Sequence, residues 1–163
     1  MSGKARRPNQ PRSRGREENM GLHPPLPVAD ELTAPFWDGI RNGKLRVQRC
    51  VACERFQFPP RASCEHCAST VLSFEDMSGR GKIFSFSETV AGARHPYFQS
   101  ISPYLVGMVQ LEEQDDLIFA SNFPDADYAD LFIGAPVEVE FQEVADGAVI
   151  PQFRLVAAPQ ESR

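Results

Sequence analysis

The stretch "CVACERFQFPPRASCEHC", residues 50–67, holds every cysteine of a 163-residue chain. Two Cys-x-x-Cys pairs, Cys50/Cys53 and Cys64/Cys67, stand ten residues apart, with Pro59, Pro60 and Arg61 between them. A tight Cys-x-x-Cys turn brings both of its sulfurs to one side, so two such turns can converge four thiolates on one tetrahedral ion. The spacing is that of a short, rubredoxin-like zinc ribbon. Four cysteines close the coordination shell, whereas a catalytic zinc keeps an open position. The expectation is therefore one structural zinc per chain. Rubredoxin-type iron would use the same sulfurs. Against iron, small glycine turns commonly follow the cysteine pairs of such knuckles, and here Glu54 and Ala68 occupy those places. His66, inside the last pair, is expected at the surface rather than on the metal.

Upstream, "KLRVQRC" alternates Leu45 and Val47 with polar residues, as a strand feeding the first cysteine pair would. Before it, "TAPFWDGIRNG" reads as a short helix with Thr33 as N-cap, Pro35 in the first turn and Gly43 at the end. Phe36, Trp37 and Ile40 share one face of it. Two readings stand: packing on the module that follows, or an exposed docking face for another subunit. "GLHPPLPV" (21–28) is an extended, proline-rich lead-in. Residues 1–19 carry six basic and two acidic residues, no core-forming side chain, and are expected to be disordered. That leaves eleven basic and twenty acidic residues, a charge of −9, for the remainder.

Downstream of Cys67 the pattern is β throughout. "GKIFSFSETV" (81–90), "PYLVGMVQLEE" (103–113), "LIFASNF" (117–123), "PVEVEFQEV" (136–144) and "AVIPQFRLVA" (148–157) are five strand-length segments. In the fourth, Val137, Val139 and Phe141 alternate with Glu138 and Glu140. Pro151 implies an edge or a bulge in the last strand. The connection "PDADYADLFIGA" suits a short helix plugging the barrel end through Tyr128, Leu131 and Phe132. Five strands with a helical element between the third and fourth is the layout of an OB-fold. The expected fold class is mainly β: a short N-terminal helix, a rubredoxin-like zinc ribbon and a five-stranded OB-fold barrel. The expected divisions are an extension at 1–28, helix plus ribbon at 29–75, the OB-fold at 76–158 and a tail at 159–163.

Residues suited to catalysis are few. His95, in "GARHPYF", lies between the first two barrel strands, and most such loop histidines are simply solvated. "SGRGK" (78–82) reads either as a phosphate cradle or as a turn entering a strand, with the turn favoured. Nucleophile elbows and phosphate-binding loops are absent from the sequence. With no apolar run of transmembrane length and no secretory signal, a cytoplasmic protein without membrane contact is expected.

The order of parts ("PFWDGIRNGKLRVQRC", the two cysteine pairs around "FPPR", then "SGRGKIFSFS", "PYLVGMVQLEE" and "IGAPVEVEF") resembles the family of zinc-ribbon and OB-fold proteins long classed as a domain of unknown function. Its members accompany thiolases, thiolase-like aldolases and related acyl-CoA enzymes. The resemblance runs from about Pro35 to Val156. It implies an accessory subunit in a hetero-oligomer with a thiolase-like catalytic chain, which supplies the nucleophilic cysteine and the histidine. This chain would dock on it and help hold an acyl-CoA thioester. Within that frame, Arg80, Lys82 and Phe84 on the first barrel strand and His95, Tyr97 and Phe98 beyond it are candidate CoA contacts: cations for phosphates, aromatics for adenine or the pantetheine arm. The rival is a single-stranded nucleic-acid-binding module, since zinc ribbons and OB-folds recur there. The acidic body argues against it.

Overall fold

Helix α1 (Ala34–Arg41) is entered through a cap one turn earlier than the sequence suggests. Asp30 Oδ1 accepts the Thr33 N–H (2.8 Å), while Thr33 Oγ1 accepts the Asp30 N–H (3.0 Å). This reciprocal pair is the geometry of a capping box. Thr33 itself has helical dihedrals and makes no side-chain cap bond, so the N-cap role passes to Asp30. The bonds from Thr33 also hold the Asp30 carboxyl below its ordinary pKa. The fold is that of a computed structural model describing residues 22–91, 94–145 and 147–156. The basic 1–19 segment and the 159–163 tail lie outside the described residues.

A three-stranded antiparallel sheet follows, in the order β2-β1-β3, from β1 (Arg46–Cys50), β2 (Phe56–Gln57) and β3 (Leu72–Asp76). Leu45 and Val47 are buried, as their alternation predicts. The second sheet comprises β4 (Arg80–Thr89), β5 (Tyr104–Leu111), β6 (Ile118–Asn122), β7 (Pro136–Ala145) and β8 (Ala148–Leu155). Its order is β6-β5-β4-β7-β8, every pair antiparallel. These are the five strands expected from the pattern, with Pro151 on the terminal strand, where a missing N–H is tolerated.

The two ends of this sheet meet without a ladder. Gln152 Oε1 on β8 accepts the Asn122 N–H (2.8 Å) and the Ser121 hydroxyl (3.2 Å), and Ser121 Oγ on β6 accepts the Phe153 N–H (2.9 Å). Two buried side chains thus stitch the barrel where backbone pairing stops. Gly107, on β5, is required by closeness: a Cβ there would stand 2.2 Å from the Ser85 carbonyl and 2.9 Å from the Phe123 ring.

One core serves helix, ribbon and barrel. Phe36, Ile40, Leu45 and Val47 join Ile83, Val109, Leu111, Phe119, Phe123, Val137 and Phe153 in a single buried cluster. Phe36 and Ile40 are 2% and 1% exposed. They face inward, not outward as a docking surface requires, because α1 lies over the junction of ribbon and barrel. Trp37 is half-buried, edge-on to Phe36 at 4.9 Å. The connection expected to plug the barrel forms only a three-residue 3-10 turn, Tyr128–Asp130. Of the three residues expected to plug the barrel, Leu131 is buried, whereas Tyr128 and Phe132 are exposed.

Candidate functional site

The cysteine knot is built from two knuckles with the same hydrogen bonds. In the first, the Glu54 N–H bonds the Cys50 carbonyl (2.8 Å) and the Cys50 N–H bonds the Arg55 carbonyl (2.9 Å). In the second, Ala68 N–H to Cys64 O (2.9 Å) and Cys64 N–H to Ser69 O (2.8 Å) repeat the pattern. Each turn needs a left-handed residue after its second cysteine, and Glu54 (φ 64°) and Ala68 (φ 60°) take that conformation despite their Cβ atoms.

The four sulfurs converge. Cys50 Sγ lies 3.6 Å from Cys67 Sγ, Cys53 Sγ lies 3.6 Å from Cys64 Sγ, and all four fall within 4.8 Å of one another. Sulfurs at the corners of a tetrahedron around an ion at about 2.3 Å are about 3.8 Å apart. The donor set therefore fits a four-thiolate metal site with no position left open. Backbone N–H groups, that of Cys53 foremost, lower the Cys50 pKa to about 6. Cys67 is pushed up to about 12: the Ser69 N–H lowers it, but the neighbouring Cys50 sulfur and burial outweigh that bond. A cation is what can hold all four as thiolates. His66 stays off the cluster, at the surface with Nε2 3.9 Å from the Glu65 carboxylate.

Gln48 and Gln57, both buried, hold the second knuckle in place. Gln57 Nε2 donates to Gln48 Oε1 (2.6 Å) and to the Ser63 carbonyl (3.2 Å), and Gln57 Oε1 accepts the Glu65 N–H (3.0 Å). Gln48 in turn brackets Arg61, accepting its N–H (2.8 Å) and donating to its carbonyl (3.0 Å). Beyond the two residues of β2, the segment from 58 to 63 joins no ladder, so these amides supply its partners. The sequence reading passed over both residues; the available signal was an uncharged polar side chain on each of two short strands leading to the metal.

The candidate CoA contacts fall into two groups. Arg80 and Lys82 open β4, whereas His95, Tyr97 and Phe98 follow its far end. Arg80 is committed to Glu112 (Nη2–Oε1 2.7 Å), which raises its pKa. The "SGRGK" segment is a turn whose Ser78 N–H already binds the Glu113 carboxylate (2.7 Å). Phe84 lies on the outer face of β4. His95 caps a second helix, α2 (Pro96–Ser100), its Nδ1 accepting the Tyr97 N–H at 3.3 Å. Tyr97 and Phe98 wall a cleft of about 350 Å³ with Val106, Ile150, Pro151 and the Pro24–Pro25 segment. Burial raises the Tyr97 pKa. Among the described residues no helix is long and apolar enough to cross a membrane.

Comparison with known proteins bears on both modules. Residues 37–73 match the family described as "ChsH2, rubredoxin-like zinc ribbon domain", and residues 74–142 the family described as "ChsH2, C-terminal OB-fold domain". The chain is 30% identical over 137 residues to a probable enoyl-CoA hydratase alpha subunit of Thermomonospora curvata, covering 84% of this chain and 41% of that protein. It thus spans about two fifths of that relative's length. It is 33% identical over 103 residues to a DUF35 domain-containing scaffold protein of Methanothermobacter thermautotrophicus, covering 63% of this chain and 74% of that one. A solved structure described as "Ltp2-ChsH2(DUF35) aldolase" superposes with a TM-score of 0.70 at 27% identity, over 79% of this chain and 98% of that chain.

Proposed function

The chain belongs to the DUF35 family, and from that premise we propose that it is a non-catalytic accessory subunit of a thiolase-type acyl-CoA enzyme. It docks on the catalytic chain and helps to position the CoA thioester. The observation that carries this reading is the superposition on a chain of the Ltp2-ChsH2(DUF35) aldolase along 98% of that chain's length. The chemistry of the site agrees. Thiolase-type catalysis runs through a cysteine nucleophile, and every cysteine here is within reach of one metal centre. The ion assigned to that centre is zinc, held by Cys50, Cys53, Cys64 and Cys67 as a fold-forming element.

The share of this chain in CoA binding is assigned to the cleft beside Tyr97 and Phe98. Its apolar walls suit an extended arm, and Ser121, Asn122 and Gln152 add polar groups at the same place. The Arg80 guanidinium is already paired with Glu112, and Lys82 and Phe84 are not among the residues that line the cleft.

The test is co-purification of the tagged chain from cells that encode it, with mass spectrometry of what accompanies it in stoichiometric amount. A thiolase-like protein, and carbon–carbon bond cleavage or formation on acyl-CoA only when both chains are present, is the expected result. Activity of the isolated chain, or no stoichiometric partner, overturns the reading.

A further inference from the structure

The outer side of β4 carries a feature that neither the metal centre nor the cleft uses. Ile83 pairs with Val109 and Ser85 with Met108, which leaves Phe84 as the extra residue of a β-bulge. Ile83 and Val109 point into the core, while Phe84 is 55% and Met108 39% exposed. On the other flank of β4, the Gly134 N–H bonds the Ile83 carbonyl (2.8 Å) and the Ile83 N–H bonds the Ala135 carbonyl (2.9 Å). Those bonds bring the Phe132–Ile133 segment alongside Phe84. Phe132 is 59% and Ile133 64% exposed. Tyr128, also exposed, stands just before them with its ring against Phe86 at 5.5 Å.

An aromatic side chain contributes about 150–250 Å² when buried, so these five partly exposed residues offer on the order of 500 Å² of apolar surface. That is the size of the largest patch on an ordinary monomer, commonly a functional one, and over half of the roughly 800 Å² each partner gives to a standard interface. On the Tyr128 side the rim is acidic, while Lys82, two residues before Phe84, is an exposed cation at the opposite side. Asp125, Asp127 and Asp130 are exposed around Tyr128, and none makes an ion pair among the described residues. The cations of the ribbon, by contrast, are paired: Arg46 with Asp76 and Arg49 with Glu75 within it, and Arg55 with Asp116 of the β5–β6 turn.

We propose that the face formed by Phe84, Met108, Phe132 and Ile133, rimmed by the 125–130 acids, seats the catalytic subunit, through an apolar surface on that subunit edged with basic residues. The inference rests on the accessory-subunit reading above. Charge complementarity selects the occupant. A second copy of this chain would bring the same carboxylates to the same interface, and like charges there oppose association. α1 is excluded as the main contact because Phe36 and Ile40 are already in the core. The bulge has a purpose on this account: it adds an outward aromatic residue without turning Ile83 or Phe86 out of the barrel.

The experiment titrates the purified catalytic subunit, recovered with the wild-type chain, against Phe84→Asp, Ile133→Asp, the double reversal Asp127→Lys/Asp130→Lys, and Val71→Asp. The last is a control at an exposed ribbon position. Each variant is first checked for bound zinc and for its thermal transition; if Phe84→Asp fails to fold, Phe84→Ser and Ile133→Ser carry the comparison. The expected result is at least about thirty-fold weaker binding for the two patch variants, a slower and less salt-dependent association for the charge reversal, and no change for Val71→Asp. Wild-type affinity in both patch variants overturns the proposal while leaving the accessory role intact. Self-association of the wild type in sedimentation, abolished by the same two substitutions, also overturns it, in favour of a second copy. A wild-type chain that binds no catalytic subunit at all brings down the functional reading, and this assignment with it.

Discussion

Phe58, from the cysteine-flanked loop, stacks on Phe119 of β6 with ring centroids 4.0 Å apart and planes inclined by 24°. Phe36 of α1 completes the group, 5.0 Å from Phe58 and 6.4 Å from Phe119. Helix, ribbon and barrel thus meet at three rings. Gln114 reinforces the joint from the β5–β6 turn: its Oε1 accepts the Phe56 N–H and its Nε2 donates to the Phe56 carbonyl, both at 2.9 Å.

If that joint unites the modules, Phe58→Ala costs about 3 kcal/mol, the usual loss for removing a core aromatic ring. Unfolding in urea should remain one transition by far-UV circular dichroism and by the fluorescence of Trp37, the sole tryptophan, which sits beside Phe36. Two separated transitions in the wild-type protein would show that ribbon and barrel fold independently.

Gln57→Leu removes the partners of the Ser63 carbonyl, the Glu65 N–H and Gln48 together. Groups left unpaired in the interior make this expensive, about 2–3 kcal/mol, although leucine is the more apolar residue. Because those partners position Cys64, a competing chelator should strip the metal faster from Gln57→Leu than from wild type. Equal stripping rates would confine Gln57 to a packing role.

Ala68 and Glu54 hold left-handed conformations that cost an L-residue about 1–2 kcal/mol relative to glycine. Part of the gain from glycine is lost to the greater freedom of the unfolded chain. Ala68→Gly and Glu54→Gly should each raise stability by about 0.5–1 kcal/mol, seen as a higher midpoint in thermal unfolding of the metal-loaded protein.

Asp76 accepts from Arg46 Nε and from Lys44 Nζ, both at 2.7 Å, and these bonds, Arg46 first, lower its pKa from an ordinary 3.8 to about 2. A carboxylate depressed on folding contributes stability that is fully present above its unfolded pKa and is lost as pH falls through its folded one. Asp76→Asn should therefore be the less stable protein at pH 7, with the gap closing between about pH 4 and pH 2. Comparing the two proteins at each pH in denaturant cancels the acid release of metal that they share. A gap that does not change across that range would assign the effect of Asp76 to packing.

The metal centre and the strands were legible because their signals are local. Sulfur spacing and period-two alternation do not depend on what lies across the fold. Other features depend on contacts that spacing cannot report. Phe36 and Ile40 carry the same amphipathic pattern whether they meet a partner or their own barrel. Gln48 and Gln57 look like solvent-facing strand residues until the loop they bond is folded over them. Arg80 reads as a free cation because Glu112 lies a whole hairpin away. The cap moved from Thr33 to Asp30 for a nearer reason, a reciprocal bond that either residue could have anchored. Phe84 lies in a regular-looking strand, and only the pairing with β5 reveals that the register slips there.

The seam between β6 and β8 differs in kind from every other join in the barrel. Elsewhere the strands are tied by backbone amide groups, which every residue but proline supplies whatever its side chain. At Gln152 and Ser121 the tie is written in side chains, so a single codon can remove a polar bond across the seam. The strength of that seam is therefore set residue by residue rather than by the backbone, and it lies beside the cleft walled by Tyr97 and Phe98.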